Sequence, residues 1–219
     1  MSLTLNQPKL PSSEDIQSWP LFQNLASERI VLLHNLEQCQ VILNELLAEK
    51  VFGFDSESKP TFSKGEVSTG PHLIQLSTLN KAYLFQVNPE TITFLAPILA
   101  NRKLLKVGFG LKNDAQLFRK KGIELNHTYD LAKSFSSFGF KQQMGVRNAI
   151  ALLFQKNFPK SKKISTSNWS KKKLSTEQIH YAAADAYAAI VIFHHLSELK
   201  RLPKPYASVF QSESFDAKT

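Results

Sequence analysis

The chain has 219 residues, long enough to bury one sizeable core, and its 42% hydrophobic and 21% charged content is that of a folded globular protein, not a disordered one. A net charge of +9 and an isoelectric point near 9.6 favour a polyanionic partner, nucleic acid first and an acidic membrane surface second, over lysines that are merely solvated. The single cysteine, Cys39, excludes an internal disulfide and suits a reducing compartment, the cytoplasm or, in a eukaryote, the nucleus.

In chain order, residues 1–27 are polar and broken by prolines; they read as an arm laid on the domain through Trp19, Leu21, Phe22 and Leu25. The start, Met1-Ser-Leu-Thr-Leu-Asn-Gln-Pro8, lacks the charged head and apolar middle of a signal peptide. Residues 29–33 form a short β run. Asn35 then caps a helix over 36–50, with Leu36, Val41, Leu43, Leu46 and Leu47 as its packed face and Cys39 in the core. The continuous apolar and aromatic run 51–55 reads as a buried strand.

After a loop marked by Pro60, Gly65, Gly70 and Pro71, strands over 72–78 and 82–87 make a hairpin around Leu79-Asn80-Lys81. Pro89 opens a helix over 90–100. A strand over 104–108 precedes a helix over 111–121 stopped by Gly122. Tyr129-Asp130-Leu131 ends another short strand, and the chain then turns helical over 131–138, 146–156 and 176–200. The last of these carries His180, Asp185, His194, His195 and Glu198, which excludes a membrane span. Residues 160–173 are too polar and lysine-rich for a core and read as a mobile surface segment. Pro203 and Pro205 close the last helix, and the tail to Thr219 reads as loosely held. Together these elements describe an α/β domain over 28–202, with a mixed sheet flanked by helices, an arm over 1–27 and a tail over 203–219.

Four carboxylates and a tyrosine sit where this apolar framework has least use for them: Asp55, Glu57, Asp114, Tyr181 and Asp185. An isolated buried anion is costly, so such groups pair with cations or lose their charge. On an extended segment Asp55 and Glu57 point to the same side, because strand side chains alternate with period two. Tyr181 and Asp185 are four apart in an alanine-rich helix, about 40° from eclipsed, so both can face one pocket. Asp114 falls in the first turn of a helix, where the dipole also favours a carboxylate.

Three stretches then resemble a known family. They are Val51-Phe-Gly-Phe-Asp-Ser-Glu57 with Leu73-Ile-Gln-Leu-Ser77; Lys106-Val-Gly-Phe-Gly-Leu-Lys-Asn-Asp114 with Gly122-Ile123 and Asp130-Leu-Ala132; and Asn168-Trp169 through Leu174-Ser175 to Gln178-Ile-His-Tyr-Ala-Ala-Ala-Asp-Ala186. In order and context they resemble the DEDD-type 3′→5′ exonucleases, in the tyrosine-bearing branch that includes ribonuclease D and the Werner-syndrome exonuclease domain. The resemblance runs over roughly residues 29 to 200. It implies a ribonuclease H-like fold, two divalent ions (magnesium or manganese), and release of nucleoside 5′-monophosphates from single-stranded 3′ ends of DNA or RNA. It implies further that Asp55 bridges both ions, that Glu57 and Asp185 hold the first, that Asp114 helps hold the second, and that Tyr181 orients the attacking water.

A sister branch uses histidine five residues before the last aspartate, the position of His180. Five residues rotate by about 140° from Asp185 against about 40° for four, which favours Tyr181 and leaves His180 a bystander. Two features depart from the family pattern: Lys172-Lys173 replaces an Arg-Pro pair, and Ser58-Lys59-Pro60 replaces an aromatic residue after the paired acids. The helical domains that flank the catalytic module in ribonuclease D are not expected within these 219 residues. Lys171, Lys172 and Lys173, in the 160–173 segment, read either as cations that track phosphates or as part of a solvated loop. Phe135, Phe138, Phe140 and Met144 read either as core or as a stacking surface for a terminal base. His194-His195 has no acid pattern around it and no metal role. The competing reading from another class is a nucleic-acid-binding protein that kept the fold and lost catalysis.

Overall fold

β-Branched, leucine and aromatic residues concentrate in six short runs, and in the computed structural model these pair into one mixed sheet. The structure describes residues 9–61 and 65–210; parts of the expected arm and tail, residues 1–8 and 211–219, lie outside them. The strands are β1 (Ile30–Leu33), β2 (Val51–Glu57), β3 (Leu73–Ser77), β4 (Ala82–Gln86), β5 (Leu105–Gly108) and β6 (Thr128–Asp130), in the spatial order β1-β4-β3-β2-β5-β6. β3 runs antiparallel to both β2 and β4, while β1 runs parallel to β4, β5 to β2 and β6 to β5.

Helices cover both faces. They are α1 (Ser13–Ser18), α2 (Leu36–Val41), α3 (Leu43–Ala48), α4 (Pro89–Ala100), α5 (Leu111–Lys120), α6 (Val146–Phe154), α7 (Lys162–Ser165) and α8 (Thr176–Glu198). The pleat of β2 divides its side chains between two cores. Phe52 and Phe54 join Cys39, Leu46, Leu95, Leu99 and Phe118 under α2–α5. Val51 joins residues of β5, α6 and α8 on the other side, and a third cluster unites Leu73 and Leu84 with Trp169, Ala182 and Ala183. β3 is buried at every position, as expected of a central strand covered on both faces.

Several sequence expectations change. The helix over 36–50 breaks at Ile42 (φ −98°, ψ 0°) into α2 and α3 and stops at Ala48. The break turns Cys39, Ile42 and Leu46 inward and leaves Leu36, Val41 and Leu47, assigned to the packed face, exposed. The strand after it continues to Glu57 instead of ending at Asp55. Residues Leu131–Phe138 are a 3₁₀ helix, and α6 ends at Phe154, where Gln155 adopts a left-handed conformation (φ 51°). Phe135 and Met144 are buried in the core, with Phe138 and Phe140 packed against it, so this cluster is structural.

The lysine-rich segment is not a free surface loop. It contains α7, and it buries Trp169 completely, with the indole Nε1–H donating to the Ser165 carbonyl at 3.1 Å. The arm docks chiefly through Ile16 and Leu25, which are buried, while Leu21 is exposed; Phe22 packs on Phe158 and Tyr187. The first part of the tail also docks: the Tyr206 ring lies 4.4 Å from that of Tyr129, and Phe210 meets Phe193. Among the described residues no helix is long and apolar enough to cross a membrane.

Lys106, in the middle of β5, is fully buried, its ammonium donating to the carbonyls of Asn101 and Leu104 at 3.0 and 2.8 Å. Burial pulls it down to about 8 from the ordinary 10.5. Below pH 8 the group is charged whether the chain is folded or not; between 8 and 10.5 the unfolded chain binds more protons, so stability rises with pH across that window. Relative to Lys106→Met, the wild type should therefore gain roughly 1 kcal/mol per pH unit at the steepest point. Urea unfolding of both proteins at pH 7.5 to 10.5 checks this, and a pH-independent difference refutes it.

Candidate active site

β2 leaves the core in three polar residues, Asp55, Ser56 and Glu57, after four buried ones. Its alternation sends Asp55 and Glu57 towards α8 and Ser56 towards α5. On α8, Asp185 is buried, and one carboxylate oxygen from each of Asp55, Glu57 and Asp185 lies within 4.8 Å of the others. The gathering depends on Gly53. A Cβ there would fall 1.9 Å from the carbonyl oxygen of Ala186 and 3.0 Å from the amide nitrogen of Ile190, so only a residue without a side chain lets α8 lie this close to β2. The small buried Ala182, Ala183, Ala186 and Ala189 serve the same approach.

Asp114 stands apart from that trio, in the first turn of α5 beyond Gly110 (φ 71°). The Ser56 hydroxyl donates a short hydrogen bond to its Oδ1 and links it to β2. Asp130, whose Oδ1 accepts from the Gly110 amide at 3.0 Å, holds the same turn. Ser56 was not singled out in the sequence; as the residue between two paired acids it had to face the opposite side of the strand.

The electrostatics are those of crowded anions. Burial first, then the Asp185 and Asp114 carboxylates, pushes Asp55 well above the ordinary carboxylate range, with Lys160 and the Ser56 amide opposing. Burial and the Asp55 and Asp185 charges lift Glu57 to about 9. Burial raises Asp185 as well, opposed by Lys160, and burial raises Asp114 against the Ser56 hydrogen bond. Such a cluster reaches full ionisation at neutral pH only when cations balance it. Both oxygens of Asp185 are buried, and among the described residues only the Lys160 ammonium, 3.2 Å from Oδ1, and the Tyr181 phenol approach them, neither in good hydrogen-bond geometry. Oxygen-only donors with free lone pairs suit a hard divalent cation, so the residues present fit one.

Tyr181 lies one turn before Asp185, its ring 6.1 Å from that of Trp169. Burial, followed by the Asp185 charge, raises its phenol to about 12, so it stays protonated at neutral pH. His180 is occupied by the arm instead: its Nε2 is 3.1 Å from the Ser27 hydroxyl and its carbonyl accepts from Asn24 at 2.8 Å. Lys171 and Lys172 line a cleft with His34, His72 and Trp169. That cleft adjoins the acids, because the His72 amide donates to the Glu57 carbonyl at 2.8 Å. Lys173 is exposed just beyond. The group missed by sequence reasoning is Lys160, whose Nζ lies 3.2 Å from Asp185 Oδ1. Nothing in its local pattern separates it from the seven other residues of the same basic stretch that carry solvent-facing charge or hydroxyl groups; only the fold does.

The sheet order, the helix packed across β2 and the carboxylates at the strand end define a ribonuclease H-like nuclease domain. A family model described as 3′-5′ exonuclease matches residues 30–200, and the chain belongs to that family, as the resemblance in its motifs indicated. It is 30% identical over 196 residues to the "Exonuclease mut-7 homolog" of Aedes aegypti, covering 77% of this chain and 26% of that protein. It is 28% identical over 153 residues to the mouse "Bifunctional 3'-5' exonuclease/ATP-dependent helicase WRN", covering 68% of this chain and 11% of that protein. The chain thus spans about a quarter and about a tenth of these relatives. Among solved structures, the Aedes aegypti Nibbler EXO domain superposes with a TM-score of 0.67 at 22% identity, over 82% of this chain and 94% of that one.

Gly53→Ala should cost about 1–3 kcal/mol by forcing α8 away from β2. Gly145→Ala, where an added Cβ meets nothing within 4 Å, should stay within about 0.5 kcal/mol of wild type. Equal urea midpoints for the two variants would refute the close-approach role of Gly53.

Proposed function

We propose that this chain is a metal-dependent 3′→5′ exonuclease that hydrolyses phosphodiester bonds at single-stranded 3′ ends of DNA or RNA and releases nucleoside 5′-monophosphates. The observation that carries the reading is the trio Asp55, Glu57 and Asp185 within 4.8 Å, with Tyr181 one turn from Asp185. Two divalent ions, Mg²⁺ or Mn²⁺, fit the donor set: Asp55 would be shared, Glu57 and Asp185 would complete the first site, and Asp114 would serve the second. Bound there, such ions supply a water ionised near neutral pH and charge stabilisation for the departing oxygen.

The side chains do the rest. Tyr181, protonated at neutral pH, orients the attacking water by hydrogen bonding and takes no part as a base. Trp169 fixes the ring of Tyr181 from the side. Ser56 holds Asp114 towards β2. The strand bearing the 3′ end runs from Glu57 along the adjoining cleft, with its phosphates on Lys171 and Lys172 and with Lys173 close by. Such contacts make binding fall steeply with salt. The lone, buried Cys39 supports action in a reducing compartment, cytoplasm or nucleus. Presence of all four acids and the tyrosine favours an enzyme over a protein that only binds nucleic acid.

The test is incubation of the protein with 3′- and 5′-labelled single-stranded DNA and RNA, in Mg²⁺, in Mn²⁺ and in EDTA. Mononucleotides should appear from the 3′ end only, and not in EDTA. Asp55→Ala should abolish release while binding persists, Tyr181→Phe should lower kcat by about a hundredfold or more, and His180→Ala should keep most of the activity. No release from any substrate overturns the reading in favour of the binding protein.

A further inference from the structure

Lys160 precedes α7, whose N-cap Ser161 accepts from the Ile164 amide, and follows Phe158, which is buried. Its backbone is therefore anchored on both sides while its side chain reaches inward. The ammonium stops 3.2 Å from Asp185 Oδ1 and 5.8 Å from the centre of the Tyr181 ring. The two partners differ in exposure: the Asp185 side chain is 4% accessible and that of Lys160 39%. The carboxylate is fixed inside, and the cation lies at the rim on a four-carbon stem.

A divalent ion on Asp185 would need its oxygen at about 2.0–2.6 Å, nearer than the ammonium now stands. The ammonium stands against Oδ1 itself, so it competes for the oxygen the ion would use and adds repulsion that is stronger in a site shielded from water. We infer that Lys160 is a built-in counter-cation: it occupies the charge-balancing position at Asp185 and is displaced when a divalent ion takes that carboxylate. Metal loading is then an exchange of one cation for another, not the filling of an uncompensated anionic hole. This rests on the proposal that Asp185 is a metal ligand.

Mn²⁺ binding to the full chain without substrate, followed by the EPR signal of free Mn²⁺ and by calorimetry, tests the exchange. Lys160→Met should bind Mn²⁺ at least about tenfold more tightly than wild type, because the competitor is gone, whereas Lys160→Arg should stay near wild type. Without metal, Lys160→Met should melt below wild type, and saturating Mn²⁺ should close that gap. Should the methionine variant fail to fold by circular dichroism, Lys160→Gln serves in its place. Unchanged or weaker Mn²⁺ affinity on loss of the charge overturns the exchange while leaving the nuclease reading intact. Absence of Mn²⁺ binding in every protein, wild type included, sinks both.

Discussion

At Gly53 no side chain separates α8 from β2: the strand and the carbonyl of Ala186 are in direct contact. This contact sets the rest of the site. Asp185 immediately precedes Ala186, and Asp55 lies two residues beyond Gly53 on the same face of β2, so one backbone approach brings the two carboxylates together. A helix seated farther from the sheet would hold them farther apart. The alanines of α8 are the sequence imprint of that approach, and the burial that raises the acids is its energetic consequence. Stability and chemistry are coupled here, since a tightly seated α8 is also what crowds the charges.

The acids are served from two sides of the sheet. Asp55 and Glu57 meet Asp185 on the α8 face, while Ser56 reaches through to Asp114 on the α5 face. A strand with period-two alternation is well suited to this because consecutive residues at its end address different layers. Gln75, paired directly with Asp55 on β3, is fully buried and its amide has no hydrogen-bond partner among the described residues. The central strands thus carry polar groups under the site that a purely structural sheet would replace with apolar ones.

Much of this was legible in the chain. The hairpin, the helix opened by Pro89 and the long terminal helix follow local rules of capping and alternation, and their positions are met within one or two residues. The common side of Asp55 and Glu57, and the one-turn spacing of Tyr181 and Asp185, are consequences of strand and helix geometry alone. What was not legible depends on tertiary contact. Val41 and Leu47 look like core residues until the break at Ile42 turns them outward. Lys160 is one of many lysines in a polar run, and its approach to Asp185, 25 positions away, is decided by how α7 and Trp169 are seated. His180 and Tyr181 point in different directions by helical rotation alone, and His180 lies 3.1 Å from the Ser27 hydroxyl.

The arm has a consequence for where the folding unit begins. The match to the exonuclease family opens at residue 30, which invites trimming the chain there. Yet Leu25 fills the cluster beneath Trp169 and Ala182, Asn24 ties the carbonyl of His180, and Leu21 and Phe22 engage Asn157 through a short parallel bridge and its hydrogen bonds. These residues clamp the beginning of α8 to the segment that leads into Lys160. A minimal domain cut at the family boundary would lose that clamp, loosening the two elements that converge on Asp185. The boundary drawn by shared sequence and the boundary drawn by mechanical support are not the same.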